Sequence, residues 1–158
     1  MRETFGKILV ELGEKDGSVI LLVGDIGYFY FDEFRAKFPR RFINVGACEQ
    51  TMIGVAAGLA LVGLKPYVYT ITPFLIERPL EQVKLDIDQQ NLNVKLVGYG
   101  DYPNQGPTHT SLNLQKISEL FTNITSYFPK SKEDTRQMLL ESYKSKRPTF
   151  ISLMRTNE

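Results

Sequence analysis

Short apolar runs and helical stretches alternate along the whole chain. The apolar residues of FGKILVEL, at 5–12, recur at helical spacing and predict a helix over residues 2–14. The run VILLV, at 19–23, is apolar at every position, which is typical of a strand buried on both faces of a sheet. The same reasoning predicts further strands at 42–45, 67–71, 94–97, 123–127 and 149–153, and helices at 32–38, 49–61, 75–90, 112–120 and 132–143.

This alternation predicts an α/β fold, a doubly wound and mostly parallel sheet with helices on both faces. We expect one domain over residues 1–158. Ligands of open parallel sheets bind beyond the carboxyl ends of the strands. Glu49, the single histidine His109, and Arg155 all follow predicted strands, so we expect residues far apart in sequence to meet at one edge of the sheet.

Glu49 stands at the head of an almost entirely apolar helix, in NVGACEQTMIGVAAGLALVG, residues 44–63. Burial disfavours a lone carboxylate, so its proton is held more tightly or a specific group must hydrogen-bond to it. Such an acid is a candidate for proton transfer. The alternative is an ordinary acid in a first helical turn, stabilised by the helix dipole.

The helix behind Glu49 has no polar side to face solvent. A helix of this kind is buried within the fold or in an oligomer. Gly54 and Gly58, four residues apart, permit close approach of another helix, and a second subunit is the expected cover.

His109 lies in GPTHTS, after a long loop that follows a predicted strand. Long loops at the carboxyl ends of strands are often functional, and Gln105 could join His109 as a hydrogen-bonding residue. An inert surface histidine is the alternative. Other candidates also have structural readings: Asp25 as a turn former, Phe74 as a core aromatic, and Cys48 as a buried structural thiol rather than a nucleophile.

Composition narrows the classes of function. The 158 residues carry 19 basic and 18 acidic side chains, a net charge of +1, which gives no electrostatic case for binding nucleic acid or an anionic membrane. One cysteine permits no internal disulfide and fits a cytoplasmic protein. Neither of the common glycine-rich phosphate-binding motifs is present, and one histidine with one cysteine gives no metal-ligand spacing, so we expect no metal site on this chain.

Taken in order, these segments resemble the pyrimidine-binding domain of transketolase-like, thiamine-diphosphate-dependent enzymes. The resemblance runs from about Arg2 to Arg155. It is carried by Asp25-Ile26 after the first strand, RFINVGACEQTMIGVAAGLALVGLKPYV, TPFLIERPLEQV, GPTHTS and PTFISLMR. Together these motifs are specific, although no one of them would suffice.

The resemblance implies a role for each matching residue. Glu49 matches the acid that hydrogen-bonds N1′ of the cofactor's aminopyrimidine and thereby promotes removal of the proton from C2 of the thiazolium. His109 matches a histidine that contacts substrate oxygens. The other matches are Ile26, which wedges the cofactor into its bent form, Phe74, which packs on the pyrimidine, Asp25, an acid near the cofactor, and Arg2 and Arg155, which bind a sugar phosphate.

Three positions depart from the family pattern. Gln105 replaces an acid that usually precedes GPTH, Phe29 stands where a phosphate-binding serine often lies, and Ile71 replaces a second aromatic near the pyrimidine. These departures leave cofactor activation as the expectation and weigh against an ordinary sugar-phosphate substrate.

In this family another domain, marked by Gly-Asp-Gly and a downstream Asn, holds the diphosphate and its metal, and this sequence has no such pattern. We expect the family's C-terminal domain to be absent as well. The resemblance therefore implies a split enzyme, a heterotetramer of this chain with a diphosphate-domain subunit that holds Mg²⁺. Self-association would use the helix at 49–63.

The expected function is transfer of a two-carbon ketol unit between sugar-like substrates. Phe29 and Gln105 keep open a subunit of a thiamine-diphosphate-dependent 2-oxo acid decarboxylase or dehydrogenase. A non-catalytic binding or regulatory module on the same fold is an alternative of another class, against which the presence of Glu49 argues. A generic doubly wound domain that binds another small molecule also remains open.

Overall fold

The protein is built around one six-stranded parallel sheet. Its computed structural model describes residues 1–100, 102 and 105–154. The sheet order is β2-β1-β3-β4-β6-β5, and every neighbouring pair is parallel. The predicted α/β class is confirmed. The strands are β1 (Val19–Val23), β2 (Phe42–Asn44), β3 (Lys65–Ile71), β4 (Lys95–Tyr99), β5 (Thr125–Tyr127) and β6 (Thr149–Leu153).

Helices cover both faces of the sheet and bury a separate apolar cluster on each. The buried strands are apolar on both sides because each side meets one of these clusters. One face carries α1 (Arg2–Lys15), α2 (Asp32–Lys37) and α7 (Lys132–Lys144), and the other carries α3 (Glu49–Leu61), α4 (Thr72–Ile76), α5 (Leu80–Gln82) and α6 (Leu114–Ser118).

The single helix predicted over residues 75–90 is wrong. The chain instead forms α4, a break at Arg78 and Pro79, then α5, and a π-helical segment at Val83–Asp88. Proline has no backbone N–H and disfavours the helical conformation of the residue before it, so a helix that approaches Pro79 ends there. The apolar spacing continues through the break because the buried residues of both pieces pack into the same cluster.

Two other boundaries differ because of side-chain hydrogen bonds. Helix α6 is shorter than predicted and starts after Asn113, whose side chain accepts a hydrogen bond from the Lys116 backbone N–H. Strand β5 starts at Thr125, two residues later than predicted. The preceding backbone N–H groups, at 122–124, donate to the buried carboxylate of Asp88 instead of joining the sheet.

Gly98 in β4 allows α4 to start directly where β3 ends. A Cβ atom at Gly98 would lie 2.6 Å from the Thr72 hydroxyl oxygen, so a larger residue would push α4 off the sheet. This close approach carries Phe74 to the carboxyl edge of the sheet. Across the described residues, none of the helices has the length and apolar character that a membrane span requires.

Candidate active site

Glu49 is the first residue of α3 and is 7% exposed. Its predicted burial is confirmed. Nη1 of Arg78 donates to Oε1 of Glu49 at 2.9 Å, and this ion pair lies at the amino end of the helix. The helix dipole and the guanidinium both favour a negative charge at this position. The carboxylate therefore has the specific partner that its burial requires.

Arg78 also packs on Phe74. The guanidinium carbon lies 3.4 Å from the centroid of the Phe74 ring, which is the geometry of a cation–π contact. The side chain of Arg78 is 40% exposed, whereas Phe74 is half-buried. One planar cation thus contacts the acid and the aromatic ring at the same time.

His109 joins this group from a distant segment of the chain. Its ring meets the Phe74 ring edge to face, with centroids 4.7 Å apart, and its Nδ1 lies 3.0 Å from the Thr108 hydroxyl. The turn at Pro107–His109 is anchored by a hydrogen bond from the Tyr102 N–H to the His109 carbonyl. The structure therefore links Glu49, Phe74 and His109 in one cluster, because Arg78 contacts Glu49 and Phe74 and the Phe74 ring contacts His109.

A depression of about 400 Å³ lies beside the Glu49–Arg78 pair. Its lining consists of Ala47, Cys48, Glu49, Gln50, Thr51 and Arg78. Cys48 is exposed, so the prediction of a buried thiol is wrong. It precedes the first turn of α3, and the helix does not carry its side chain into the core.

Asp25 belongs to a second group at the carboxyl ends of β1 and β2. The Asn44 side-chain amide donates to its carboxylate at 3.0 Å, and the Tyr28 hydroxyl donates at 2.8 Å. These hydrogen bonds, Asn44 first and Tyr28 second, hold the pKa of Asp25 below its usual value. The Asp25 backbone is left-handed, with φ 55°, and is held there in part by its N–H donating to Asn44 Oδ1.

Ile26, Phe29 and Ile71 surround this strand edge at different depths. Ile26 is half-buried against the apolar cluster on the α1 side of the sheet, whereas Glu49 begins a helix on the other side. Phe29 is 88% exposed and has a φ of 71°, so the loop presents its ring to the outside. Ile71 is the last residue of β3 and directly precedes α4.

The predicted substrate arginine Arg2 has surroundings that differ from those of Glu49. The Arg2 guanidinium is held between two rings, 4.4 Å from the centroid of Tyr30 and 3.9 Å from that of Tyr99. Arg155 lies outside the described residues. Gln105 is exposed, and its backbone N–H donates to the Tyr102 carbonyl at 2.9 Å.

A larger cavity, of about 480 Å³, opens at the carboxyl ends of β4 and β6. Among the described residues, its lining includes Leu112, Phe128, Leu153 and the cation Lys130, but no carboxylate. Size alone would favour this cavity, but the buried carboxylate with its cation and aromatic neighbour lies at Glu49, so the Glu49 cluster is the better candidate. Among the described residues, no three His, Cys, Asp or Glu side chains are placed to hold a metal ion.

The sequence matches the family described as "Transketolase, pyrimidine binding domain" over residues 1–158. This chain belongs to that family. A transketolase pyrimidine domain is therefore the setting in which Glu49, Phe74 and His109 meet, and the resemblance noted in the sequence is confirmed.

Individual relatives of this pyrimidine domain are transketolase subunits. One of them, a subunit of the apulose-4-phosphate transketolase of Actinobacillus succinogenes, is 39% identical over 123 residues, which cover 76% of this chain and 40% of the relative. The 6-deoxy-6-sulfo-D-fructose transketolase subunit SqwH of Clostridium sp. (strain MSTE9) is 32% identical over 159 residues, 98% of this chain and 49% of the relative.

A solved structure of a split gene transketolase, an inactive beta4 tetramer, superimposes with a TM-score of 0.88 at 31% identity. The match covers 98% of this chain and 50% of that chain. The pyrimidine domain thus spans about half the length of the relatives and of the structure that it matches.

Arg78 is the residue of this pyrimidine domain that sequence reasoning missed. A signal was available, because a buried acid needs a partner and Arg78 lies in TPFLIERPLEQV, one of the segments that carry the resemblance. The role of Arg78 was missed because residues 75–90 were predicted to form one continuous helix. In a continuous helix the direction of Arg78 is set by the helical period, whereas here it is set by the break at Pro79.

Proposed function

We propose that this chain is the pyrimidine-binding subunit of a split, thiamine-diphosphate-dependent transketolase. In this proposal it transfers a two-carbon ketol unit between sugar-like substrates, in the cytoplasm, together with a subunit that holds the diphosphate and Mg²⁺. The observation that carries the proposal is the cluster of a buried acid, an aromatic ring and a histidine at the carboxyl edge of the sheet. The names of two relatives, both transketolase subunits, support it.

The residues of this cluster fit an aminopyrimidine ring. Glu49 and Phe74 already bind one flat, nitrogen-bearing cation, the Arg78 guanidinium, through a hydrogen bond and a stacking contact. An aminopyrimidine needs the same two partners, an aromatic face and a carboxyl group, although its N1′ accepts a hydrogen bond where the guanidinium donates one. When bound, thiamine diphosphate supplies an acidic ring carbon that becomes the nucleophile for a substrate carbonyl.

Each residue then has a defined task. Glu49 shares a proton with N1′ of the pyrimidine, for which its burial is suited because little water competes for that proton. Phe74 packs on the ring. His109 hydrogen-bonds the substrate oxygens, and because its Nδ1 already contacts Thr108, this task falls to Nε2. The cofactor would also be bordered by Asp25, Ile26 and Ile71. The substrate would be bordered by Gln105, Phe29, Arg2 and Arg155.

The outer face of α3 supports self-association. Val55, Leu61 and Val62 are exposed there, at 36%, 65% and 75%. Among the described residues, nothing lies within 4 Å of a Cβ atom placed on Gly54 or Gly58, so packing within this chain does not require glycine at either position. An apolar face with small residues is suited to close contact with a helix of another subunit.

Co-purification with a candidate partner tests the proposal. The full-length protein is co-expressed with a neighbouring gene product that carries the Gly-Asp-Gly pattern, and the complex is titrated with thiamine diphosphate and Mg²⁺ in a calorimeter. We expect saturable cofactor binding that needs both subunits, followed by turnover of a ketose donor and not of a 2-oxo acid. A complex that binds no cofactor would overturn the proposal.

The α3 contact has a matched test. Leu61→Asp should shift the complex to a smaller species in analytical ultracentrifugation, because it places a charge on the apolar face. Leu120→Asp is the control, since Leu120 is equally exposed, at 67% against 65%, but lies after α6. Dissociation by both variants, or by neither, would argue against the α3 face as the contact.

A further inference from the structure

Arg78 occupies both contacts that the proposed cofactor needs. Its Nη1 is 2.9 Å from Glu49 Oε1, and its guanidinium carbon is 3.4 Å from the Phe74 ring centroid. The guanidinium therefore covers the face of the Phe74 ring that is directed toward Glu49. An aminopyrimidine could not pack on that face and hydrogen-bond Glu49 while Arg78 stays there.

We propose that Arg78 is an internal competitor of the cofactor, which occupies the pyrimidine position in the free subunit and withdraws when the pyrimidine ring binds. This inference rests on the proposed function, because it takes thiamine diphosphate as the ligand of the Glu49 cluster. It adds a residue with a defined role in controlling access to that site.

Shape and charge explain why Arg78 can stand in for the ring. A guanidinium is flat, presents N–H donors along one edge and stacks on aromatic faces. Phe74 and Glu49 offer it a ring face and an oxygen acceptor side by side. Lysine could satisfy the acceptor but has no planar group to cover the ring.

The two ligands make opposite demands on Glu49. Arg78 donates its hydrogen bond, so it pairs with the carboxylate form. The pyrimidine nitrogen N1′ is an acceptor, so it needs a carboxyl group that can donate a proton. Withdrawal of Arg78 therefore clears the ring face and also frees Glu49 to act as a donor.

Arg78 has room to leave. Its side chain is 40% exposed and borders the depression in front of Glu49, whereas the Glu49 side chain is only 8% exposed. The segment that holds Arg78 lies at the break between α4 and α5, where the backbone is not part of a continuous helix. The displaced guanidinium can thus move into solvent without unfolding an element.

Removing the guanidinium should strengthen cofactor binding. In the complex with the diphosphate subunit, Arg78→Met keeps an apolar stem over Phe74 and removes the charge. We expect its dissociation constant for thiamine diphosphate, at saturating Mg²⁺, to be about threefold to tenfold lower than that of the wild type. The dissociation constant of Arg78→Lys for thiamine diphosphate should lie between those of Arg78→Met and the wild type. Arg136→Ala is the matched control, because Arg136 is 45% exposed and pairs with Glu11 far from the site.

Arginine-specific labelling gives a readout that does not depend on activity or on a variant. In the wild-type complex, phenylglyoxal modification of Arg78, measured by mass spectrometry, should rise when thiamine diphosphate is added, while that of Arg136 should not change. Weaker or unchanged cofactor binding by Arg78→Met, or no rise in labelling of a cofactor-saturated complex, would overturn the inference. If the wild-type complex binds no cofactor at all, the proposed function itself fails, which is a different result.

Discussion

The carboxyl and amino edges of the sheet hold buried charge in different ways. At the carboxyl edge, Glu49 pairs with Arg78, whose side chain is 40% exposed. The neighbouring loop contains two non-glycine residues with left-handed backbones, Asp25 and Phe29, at φ 55° and 71°. A left-handed backbone at a non-glycine residue costs stability, and such strain clusters at sites where a protein binds ligands.

At the amino edge, charges are held by several fixed donors and acceptors. The Asp16 carboxylate accepts hydrogen bonds from Lys65 Nζ at 2.6 Å, from the Ser18 N–H and hydroxyl at 2.9 and 2.6 Å, and from the Tyr143 hydroxyl at 3.0 Å. Lys95 is fully buried and donates to the carbonyls of Ser145 and Arg147 at 3.0 and 2.9 Å.

The comparison separates charged and polar groups that are fixed within the fold from an acid that, in the proposed function, is kept available for a ligand. The amino-edge groups connect elements that are far apart in sequence, and moving any one of them would leave buried acceptors or donors unsatisfied. The carboxyl-edge acid has a partner that can move into solvent. Substitutions at the two edges should therefore affect different properties of the protein.

Glu49→Gln gives the largest expected effect. In the proposed complex with a diphosphate subunit, the rate of proton loss from C2 of the proposed cofactor, followed by deuterium exchange, should fall by about a hundredfold or more. Stability should change by less than about 1 kcal/mol, since Arg78 is partly solvated. Glu119→Gln, on an exposed residue beyond α6, is the control. Unchanged exchange would remove Glu49 from the mechanism.

Asp16→Asn should affect the stability of the fold and not the candidate site. Loss of the charged acceptor should lower the free energy of unfolding by about 2–3 kcal/mol in urea denaturation, with little effect on cofactor binding. Asp86→Asn, on the π-helical segment, serves as the control. A large loss of cofactor binding without loss of stability would contradict the division between the edges.

The same variant should also change the response to acid. Burial by itself would raise the pKa of Asp16, but hydrogen bonds from Lys65, Ser18 and Tyr143 outweigh it and hold the pKa well below its ordinary value of 3.8. The Asp16 contribution is therefore present above pH 3.8 and is lost as the pH falls below it. In the Asp16→Asn variant, the free energy of unfolding should therefore fall less steeply as the pH drops below 3.8.

Lys95→Met tests the second amino-edge charge through its pH dependence. Burial lowers the pKa of Lys95 from 10.5 to about 7, and Lys65 adds to the lowering. Since the unfolded chain binds the proton more tightly between these values, folding stability should rise with pH across that window, by up to about 1.4 kcal/mol per pH unit. The variant should lose this slope, whereas Lys84→Met, at an exposed site, should keep it. Equal slopes in all three proteins would refute the assignment.

Tyr28→Phe should have the smallest effect. It removes one of the two side-chain hydrogen bonds to Asp25, so the pKa of Asp25 in an NMR titration should move up but stay below its usual value, since Asn44 still donates. The urea midpoint should not change measurably, because the loop is exposed. A clear loss of stability would show that the carboxyl edge supports the fold as the amino edge does.

Three elements were predicted to the residue, whereas elements shaped by distant contacts were not. Strands β1 and β6 and helix α3 match the predicted bounds because burial on their inner faces decides them locally. The start of β5 depends on Asp88, which lies more than thirty positions upstream. No periodicity within residues 123–127 could reveal that contact.

In the candidate site, too, features set by the local sequence were predicted and features set by distant contacts were not. Glu49 and His109 were predicted to share an edge, because each follows a strand and the topology fixes which strand ends share an edge. Phe74 was placed at the site only by the family resemblance. The Glu49–Arg78 ion pair was not predicted, because it joins residues that are 29 positions apart in sequence, and a helix break sets the direction of Arg78. The exposure of Cys48 was also missed, because the chain passes from an exposed position to the buried start of α3 within a single residue.

Both outermost strands of the sheet, β2 and β5, are only three residues long. A neighbouring molecule that tried to extend the sheet would find few free backbone groups to pair with, so edge-to-edge aggregation is disfavoured. This protection matters because α3 exposes apolar side chains on its outer face, through which the proposed self-association would occur. The chain can thus associate through one apolar helix face, while its short edge strands disfavour the addition of strands from other molecules to its sheet.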